Sequence, residues 1–580
     1  MYKLLRICAL APLVLGVSGL AQAAIINVPG DFATIQGAID AASPGDIIEV
    51  ASGAYYEHLV VNKSLTLQGE DRGTTIIHGG GTGLVVNIPT SGSVTISGFT
   101  ITNGEYGIVS YGHSSSTIRD CEISQNQVDG VIIGWSNNFS ITDCIAYLNN
   151  QCGIYLDSCR NSVIENCKAY SNGIVGITFY DHPQWCGSSS PTNNRVVNCS
   201  IWDNQIGVAI GWAGGTTLKD NKMFDNVSCL VVSGWPLYVY KNDIDTSNTV
   251  NGKPVYYLVD KEDMVVDPST FPSIGYLGLV NSNRITVKDI TVTDGSQGVL
   301  FAHTSHSCIE NIKSASNYAG IWLVHSSDNT ITGNVIQENE WGIYSHFSNH
   351  NVITGNRITN NDSGLGLYDS SDNTIYHNNF TDNTKQVEIW YKWWAYPYYD
   401  RQAPSINIWD DGYPSGGNYW SDWTGTDMWR GINQDEPGAD GIGDTPYIID
   451  SDNKDNYPLI IVNVAIDIKP GSYPNAINLG SHGLIPVAIL SSDQFDATTV
   501  DPETVELAGA GVAVRGKANK YMAHKEDVNA DGLVDLVVQV STENLDPDSL
   551  QDGFAVLTGK TFDGVPIEGK DEITIVPAEK

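Results

Sequence analysis

Four groups of side chains in this 580-residue chain could do chemistry. The most compact is Asp527-Val-Asn529-Ala-Asp531-Gly532-Leu-Val-Asp535. Oxygen side chains at alternate positions, a glycine for the sharp turn and one more carboxylate make a loop for a hard cation. The expected occupant is calcium in a structural role, although the distal Glu of an EF-hand is missing. The second group is histidine: His303, His306, His325, His346, His350 and His377 fall within four successive units of a repeat. His303 and His325 share one position in the unit, and His306, Asp328, His350 and Asp372 share another. Rungs about 4.8 Å apart would set these imidazoles beside carboxylates. Copper or zinc would suit His303, His306, His325, Asp328 and His350; the other use of such a turn is plain solvation. The Met-rich or Cys–His signature of a Cu(I) carrier is missing, with 5 Met in the whole chain.

The third group is aromatic. Tyr155, Trp322 and Tyr344 occupy one position of the unit, while Asp157, Tyr180, His346 and Tyr368 sit two residues further on. Alternate residues of a strand face opposite sides, and the intervening positions are mostly Ile, Val or Leu. Tyr155, Tyr180, Trp322, Tyr344 and Tyr368 are therefore expected to project outward, where rings can stack on sugars. The competing use is ladder stacking between coils. The fourth group is Asp157 with Asp181 on adjacent units, a carboxylate pair of the kind a glycosidase employs. No Arg or Lys is read as standing beside an Asp cluster, as proton abstraction from a uronate needs. The reading is therefore binding without catalysis, with a lyase or hydrolase as an alternative. The crowded run Trp390–Tyr399 reads as a loop folded over the side of the molecule or as a docking lip.

These groups depend on a repeat to position them. Gly320-Ile-Trp-Leu, Gly342-Ile-Tyr-Ser and Gly364-Leu-Gly-Leu open successive units 22 residues apart, each followed by a polar turn and a Thr-Ile or Val-Ile pair. Gly107, Gly130, Gly153 and Gly176 do the same at intervals of 23. Three short strands per unit and no helix signal describe a parallel β-helix, whose repeats bury their apolar faces only by stacking. Ahead of it, Ile35, Ala38, Ile39 and Ala42 lie on one helix face after Thr34, a suitable cap for the open end. Cys121, Cys144, Cys167 and Cys199 share the bend position that Asn334 and Asn356 hold later. Stacked one rung apart, these thiols lie within disulfide range, although a column of small side chains serves equally well. From about residue 463, alternating strands with Pro and Gly turns read as a β-sandwich.

The fold expected is all-β, a right-handed single-stranded parallel β-helix followed by a small antiparallel β-sandwich. Its parts are a signal peptide (1–23), a cap helix with the first coils (24–104), regular coils (105–384), an aromatic, Gly- and Asp-rich stretch (385–462) and the sandwich (463–580). The signal shows Lys3 and Arg6, an apolar run and Ala21-Gln22-Ala23. No later run is long enough to span a membrane. A formal net charge of −36 argues against nucleic acid, which needs a basic footprint. A secreted, cell-surface or periplasmic location is expected.

Thr34-Ile-Gln with Ala38-Ile-Asp-Ala-Ala42 resembles the opening of pectate-lyase-like β-helices, and Ser-Asp-Asn-Thr-Ile-Thr-Gly-Asn resembles carbohydrate-binding and sugar-hydrolase (CASH) domains. Asn251-Gly-Lys-Pro-Val-Tyr-Tyr257, Asp411-Gly-Tyr-Pro-Ser-Gly-Gly-Asn-Tyr-Trp420 and Asp440-Gly-Ile-Gly-Asp-Thr-Pro-Tyr447 are similar to the NosD-type family. That resemblance implies a periplasmic β-helix linked to copper delivery. Ile466-Asp-Ile-Lys-Pro-Gly471 resembles a domain appended to secreted surface proteins, which is foreign to the copper-delivery pattern. Together these point to non-catalytic recognition of extracellular polysaccharide or cell-envelope material.

Overall fold

The computed structural model describes residues 23–576 except 90–91, 113–114, 182–191, 391–404, 493–494, 517–519, 551–552 and 563–564. The leader of the signal peptide and most of the Trp390–Tyr399 run lie outside the described residues. The chain divides into two compact units, Met1–Gly252 and Lys253–Lys580.

The first unit opens with the helix Ile35–Ala41, whose Thr34 side chain accepts the Gly37 N–H at 3.2 Å. Its buried Ile35, Ala38 and Ile39 pack against the first strands, as the apolar spacing requires. Parallel coils follow. One sheet carries Cys152–Asp157, Val175–Tyr180 and Ile206–Gly211; a second carries Thr117–Arg119, Ser140–Thr142 and Val163–Glu165. The third carries Ile145–Tyr147, Lys168–Tyr170 and Ser200–Trp202. Inward side chains recur rung by rung, so that Ile118, Ile141, Ile164, Val196 and Leu218 form one fully buried column. Each such side chain contributes roughly 1.5–3 kcal/mol on burial.

The second unit repeats the plan with Gln297–Ala302, Ala319–Val324, Trp341–His346, Ser363–Tyr368 and Lys385–Trp390 along one sheet. Ile309, Ile331, Ile353 and Ile375 stack inside it. Two facing sheets, one built on Leu484–Ile489 and Asp535–Ser541, the other on Val500–Leu507, Phe554–Thr561 and Pro566–Glu572, enclose a separate apolar core. Lys313 of the coils makes an ion pair with Asp546 of this sandwich. The all-β expectation of a right-handed parallel β-helix with a C-terminal sandwich is borne out.

Tight bends leave backbone N–H groups buried, and each needs a partner. Asparagine supplies it. Asn334 donates from its backbone N and from Nδ2 to Asn356 Oδ1, at 3.0 and 2.8 Å, while Nδ2 also reaches the Ile309 carbonyl of the coil before. The column runs through Asn378 and Asn418 and stops at Asp455. Asp455 is fully buried and accepts from Asn418 N, Trp420 Nε1 and Tyr457 N at 2.7, 2.9 and 3.1 Å. A carboxylate has acceptors only, which is what the last rung needs. Burial nevertheless pushes its carboxyl up to about 7.

The cysteine column is the thiol version of this device. Cys199 Sγ accepts the Cys167 N–H at 3.4 Å, and Cys144 Sγ donates to the Thr142 carbonyl at 3.2 Å. Beyond Cys199 the column continues as asparagine, with Cys199 N donating to Asn221 Oδ1 at 2.9 Å. The four cysteines are buried free thiols.

Candidate functional site

Outward aromatic rings occur on both units, and their planes are arranged differently. In the first unit Tyr147, Tyr170, Trp202 and Phe224 are in register on successive coils. Their centroids are 5.1, 4.3 and 5.6 Å apart and their planes within 10°, 9° and 4° of parallel. Rings stacked along the coil axis spend both faces on each other and offer the outside only edges. This ladder stabilises the coils and leaves no face for a sugar. The sequence reading missed it, because the insertion after Asp181 breaks the count between Tyr170 and Trp202.

In the second unit the corresponding columns are interrupted. Leu300, Trp322, Tyr344, Gly366 and Glu388 pair in register, as do Val324, His346, Tyr368 and Trp390. With no continuous run of rings, the aromatics tilt. Trp322 and Tyr344 meet at 80°, Trp341 and Trp390 at 77°, Trp341 and Tyr344 at 60°, Tyr368 and Trp390 at 55°. Trp341 lies across Gly366, where a Cβ would come within 2.7 Å of its ring. Trp390 and Tyr318 are the most exposed members, Trp322, Trp341 and Tyr344 are half-buried, and Tyr368 is buried. Trp322 Nε1 is shielded from water and has no hydrogen-bond partner among the described residues.

Carboxylates rim this wall. Glu388 accepts from Trp390 Nε1 at 2.8 Å and Ser363 Oγ at 3.1 Å, and pairs with Lys385 at 2.9 Å. Burial and the neighbouring Asp362 raise the Glu340 carboxyl. Burial raises that of Asp369 too, next to Tyr368.

The histidines join the aromatic packing. His303, His325 and Phe347 stack at 4.9 Å with 12° and 14° between planes. Burial, then the neighbouring histidine, holds His325 down to about 4 and His346 to about 3, so both are neutral at pH 7. Imidazole lone pairs lie in the ring plane. Two stacked rings therefore direct them side by side, and they do not converge on an ion about 2.0–2.1 Å from each nitrogen. His306 contacts Asn283 at 3.2 Å, while His350 and Asp372 are 3.9 Å apart on an exposed turn. Asp328 shares this turn column, with its own positive φ. No three His, Cys, Asp or Glu side chains among the described residues come together closely enough to hold a metal ion.

On the first unit Asp157 pairs in register with Tyr180, beside Tyr155 and Thr178. Both Asp157 and Asp181 are buried. Asp157 Oδ1 accepts from Ser158 Oγ at 2.9 Å, and Asp181 Oδ2 lies 3.4 Å from Arg160 Nη2. No basic residue is expected from the sequence beside these acids; Arg160, in the turn after Cys152–Asp157, lies against Asp181. Asp181 Oδ1 is buried and has no hydrogen-bond partner among the described residues. Burial, with Asp157 nearby, pushes the Tyr155 hydroxyl up, and Tyr180 lies over Gly211.

The Asp527–Asp535 loop is wound around its own acids. Asp527 accepts from Asp531 N and Gly532 N, Asn529 from Asp531 N, and Asp531 from Leu533 N. Asp535 is fully buried and accepts from Ser491 N and Val528 N at 2.8 and 2.9 Å, tying the loop to the sandwich.

Residues 241–425 match the family model described as periplasmic copper-binding protein (NosD), and residues 82–244 match the one described as right handed beta helix region. A cell surface glycoprotein of Methanothermus fervidus is 32% identical over 123 residues, 21% of this chain. The match spans a fifth of that relative's length. Among solved structures, a mannuronan C-5 epimerase A-module from Azotobacter vinelandii is 15% identical, covering 61% of this chain and 91% of its own, with a TM-score of 0.28. A tailspike protein from Acinetobacter baumannii bacteriophage Fri1, a capsular polysaccharide depolymerase, is 11% identical over 91% of this chain and 85% of its own, with a TM-score of 0.29. The two family matches and the coils they cover fit a right-handed parallel β-helix similar to the NosD type.

Proposed function

We propose that this is an exported, surface-associated protein that binds polysaccharide through the tilted aromatic wall between Tyr318 and Trp390, without cleaving it. The observation that carries the reading is the set of ring planes. Trp322, Trp341, Tyr344 and Trp390 meet edge to face, so one ring of each pair keeps its faces free of that partner, whereas the ladder from Tyr147 to Phe224 stacks face on face. Half-buried rings with fixed orientation provide contact area at little entropic cost. The cell-surface relative supports an extracellular setting. The test is to incubate purified protein with a panel of polysaccharides and read depletion and product release together. Retention without products is expected; absence of retention on every glycan contradicts it.

A second reading, cleavage on the first unit, is favoured by Arg160 beside the buried Asp181, with Asp157 buried on the adjacent coil. It requires products that vanish in Asp181→Asn. Copper, named in the family description, does not fit the stacked His303 and His325, and no step is assigned to it. Calcium in the Asp527–Asp535 loop is proposed as a structural ion of the sandwich, since its short turn already gathers Asp527, Asn529 and Asp531.

A further inference from the structure

We propose that the glycan taken by the aromatic wall is an amino-sugar polymer carrying free amines. This rests on the glycan-binding reading above and narrows it. The wall joins two features that separately bind many things and together bind a cation: tilted aromatic rings and a surplus of carboxylates over cations. Glu340 and Asp362 follow one another in the column that begins at Tyr318, on the edge where Trp341 lies. Glu388 holds Trp390 in place through Nε1, and Asp369 stands beside Tyr368. Against these four acids stands Lys385, already bonded to Glu388. His325 and His346, the imidazoles in the stack, are neutral at pH 7 and add no positive charge.

An ammonium group over Trp or Tyr is attracted by the ring's negative face, and a carboxylate close by adds a charge-assisted hydrogen bond. A uronate chain laid on the same rings would set like charges against Glu340, Asp362 and Glu388, which is unfavourable. Stacking on the rings gives affinity for any sugar, while the acids give the choice among sugars. Four strands, from Ala319–Val324 to Lys385–Trp390, set the length of the wall at about 14 Å for three rung spacings. A short run of sugar residues fits along it.

The test uses the full-length protein in calcium-free buffer and three hexasaccharides: glucosamine, N-acetylglucosamine and galacturonate. The first two differ only in whether the nitrogen is charged. Titration calorimetry is expected to show the glucosamine hexamer binding about tenfold more tightly than its acetylated form, ~1.4 kcal/mol, and the uronate weakest. In a Glu340→Gln/Asp362→Asn variant that melts like wild type, the preference is expected to shrink while the acetylated hexamer binds as before. Equal binding of the first two, or tighter binding of the uronate, overturns the amine preference and leaves the aromatic wall as a glycan site. If none of the three binds but a neutral glucan or mannan does, the inference again fails alone. If no glycan binds at all, both fail.

Discussion

Tyr147 to Phe224 in the first unit and Trp322 to Trp390 in the second are aromatics on parallel coils, yet neighbouring rings lie nearly parallel in the one and meet at up to 80° in the other. Tyr147, Tyr170, Trp202 and Phe224 stack within 10° of parallel. Trp322 and Tyr344 stand at 80°. The cause lies in what fills the neighbouring rungs. Where every rung bears a ring, parallel stacking covers the most area. Where Gly366 and Glu388 interrupt the column, Trp341 drops across the glycine, and Tyr344 turns its edge to Trp322. A complete aromatic column stacks its rings on one another, and a broken one leaves them tilted.

The largest expected effects come from exchanging these roles by substitution. Trp322→Ala should cost about 2 kcal/mol in glycan affinity, roughly thirtyfold, with little change in melting temperature. Trp202→Ala should do the reverse, lowering stability by about 2 kcal/mol or more through lost ring contacts while leaving glycan binding unchanged. Titration and thermal melts of both variants check this; a Trp202 change that abolished binding would undo the distinction.

Acid should weaken the second unit through His346. Its folded value, near 3, lies below the value of about 6.5 for a free imidazole. The neutral ring's contribution is present above about 6.5 and is lost as pH falls toward 3, up to about 3 kcal/mol at pH 4. Melting temperatures from pH 7 to 4 should fall less steeply in His346→Phe than in wild type.

Asp455 acts with the opposite sign. Its folded value, about 7, lies above that of a free carboxyl. The stability it confers is full below about 3.9 and is lost as pH rises through 7. Asp455→Asn removes this dependence, although its amide then faces the Tyr457 N–H. The melting temperature of Asp455→Asn relative to wild type should therefore climb between pH 4 and 8; a constant difference would mean that the buried carboxyl does not titrate in that range.

The smallest effect is expected from calcium. Chelation should lower the sandwich transition by a few degrees, as loss of a ligand bound at modest excess implies, and Asp527→Ala should make melting insensitive to calcium.

Much of the fold was legible because the β-helix is one unit written many times. The inward Ile column, the Thr34 cap and the bend column that turns from Cys to Asn can all be read by position. The site was legible only in part. The choice of Trp322 and Tyr344 follows from strand alternation, but the tilt of their rings depends on Gly366, the next rung of their own column, and on Trp341, which lies outside the counted positions. Arg160 reaches Asp181 only because a turn reverses the chain. The histidines do share positions, yet their ring planes, set by packing against Phe347, decide what they can bind, and side-chain rotation is not written in spacing.

Hydrogen exchange with and without a saturating glycan from the panel tests the central claim most directly. The account predicts slowed exchange confined to Ala319–Val324, Trp341–His346 and Lys385–Trp390, with Ile145–Tyr147, Lys168–Tyr170 and Ser200–Trp202 unchanged. Protection of the stacked ladder, with the tilted wall left as it was, would contradict it.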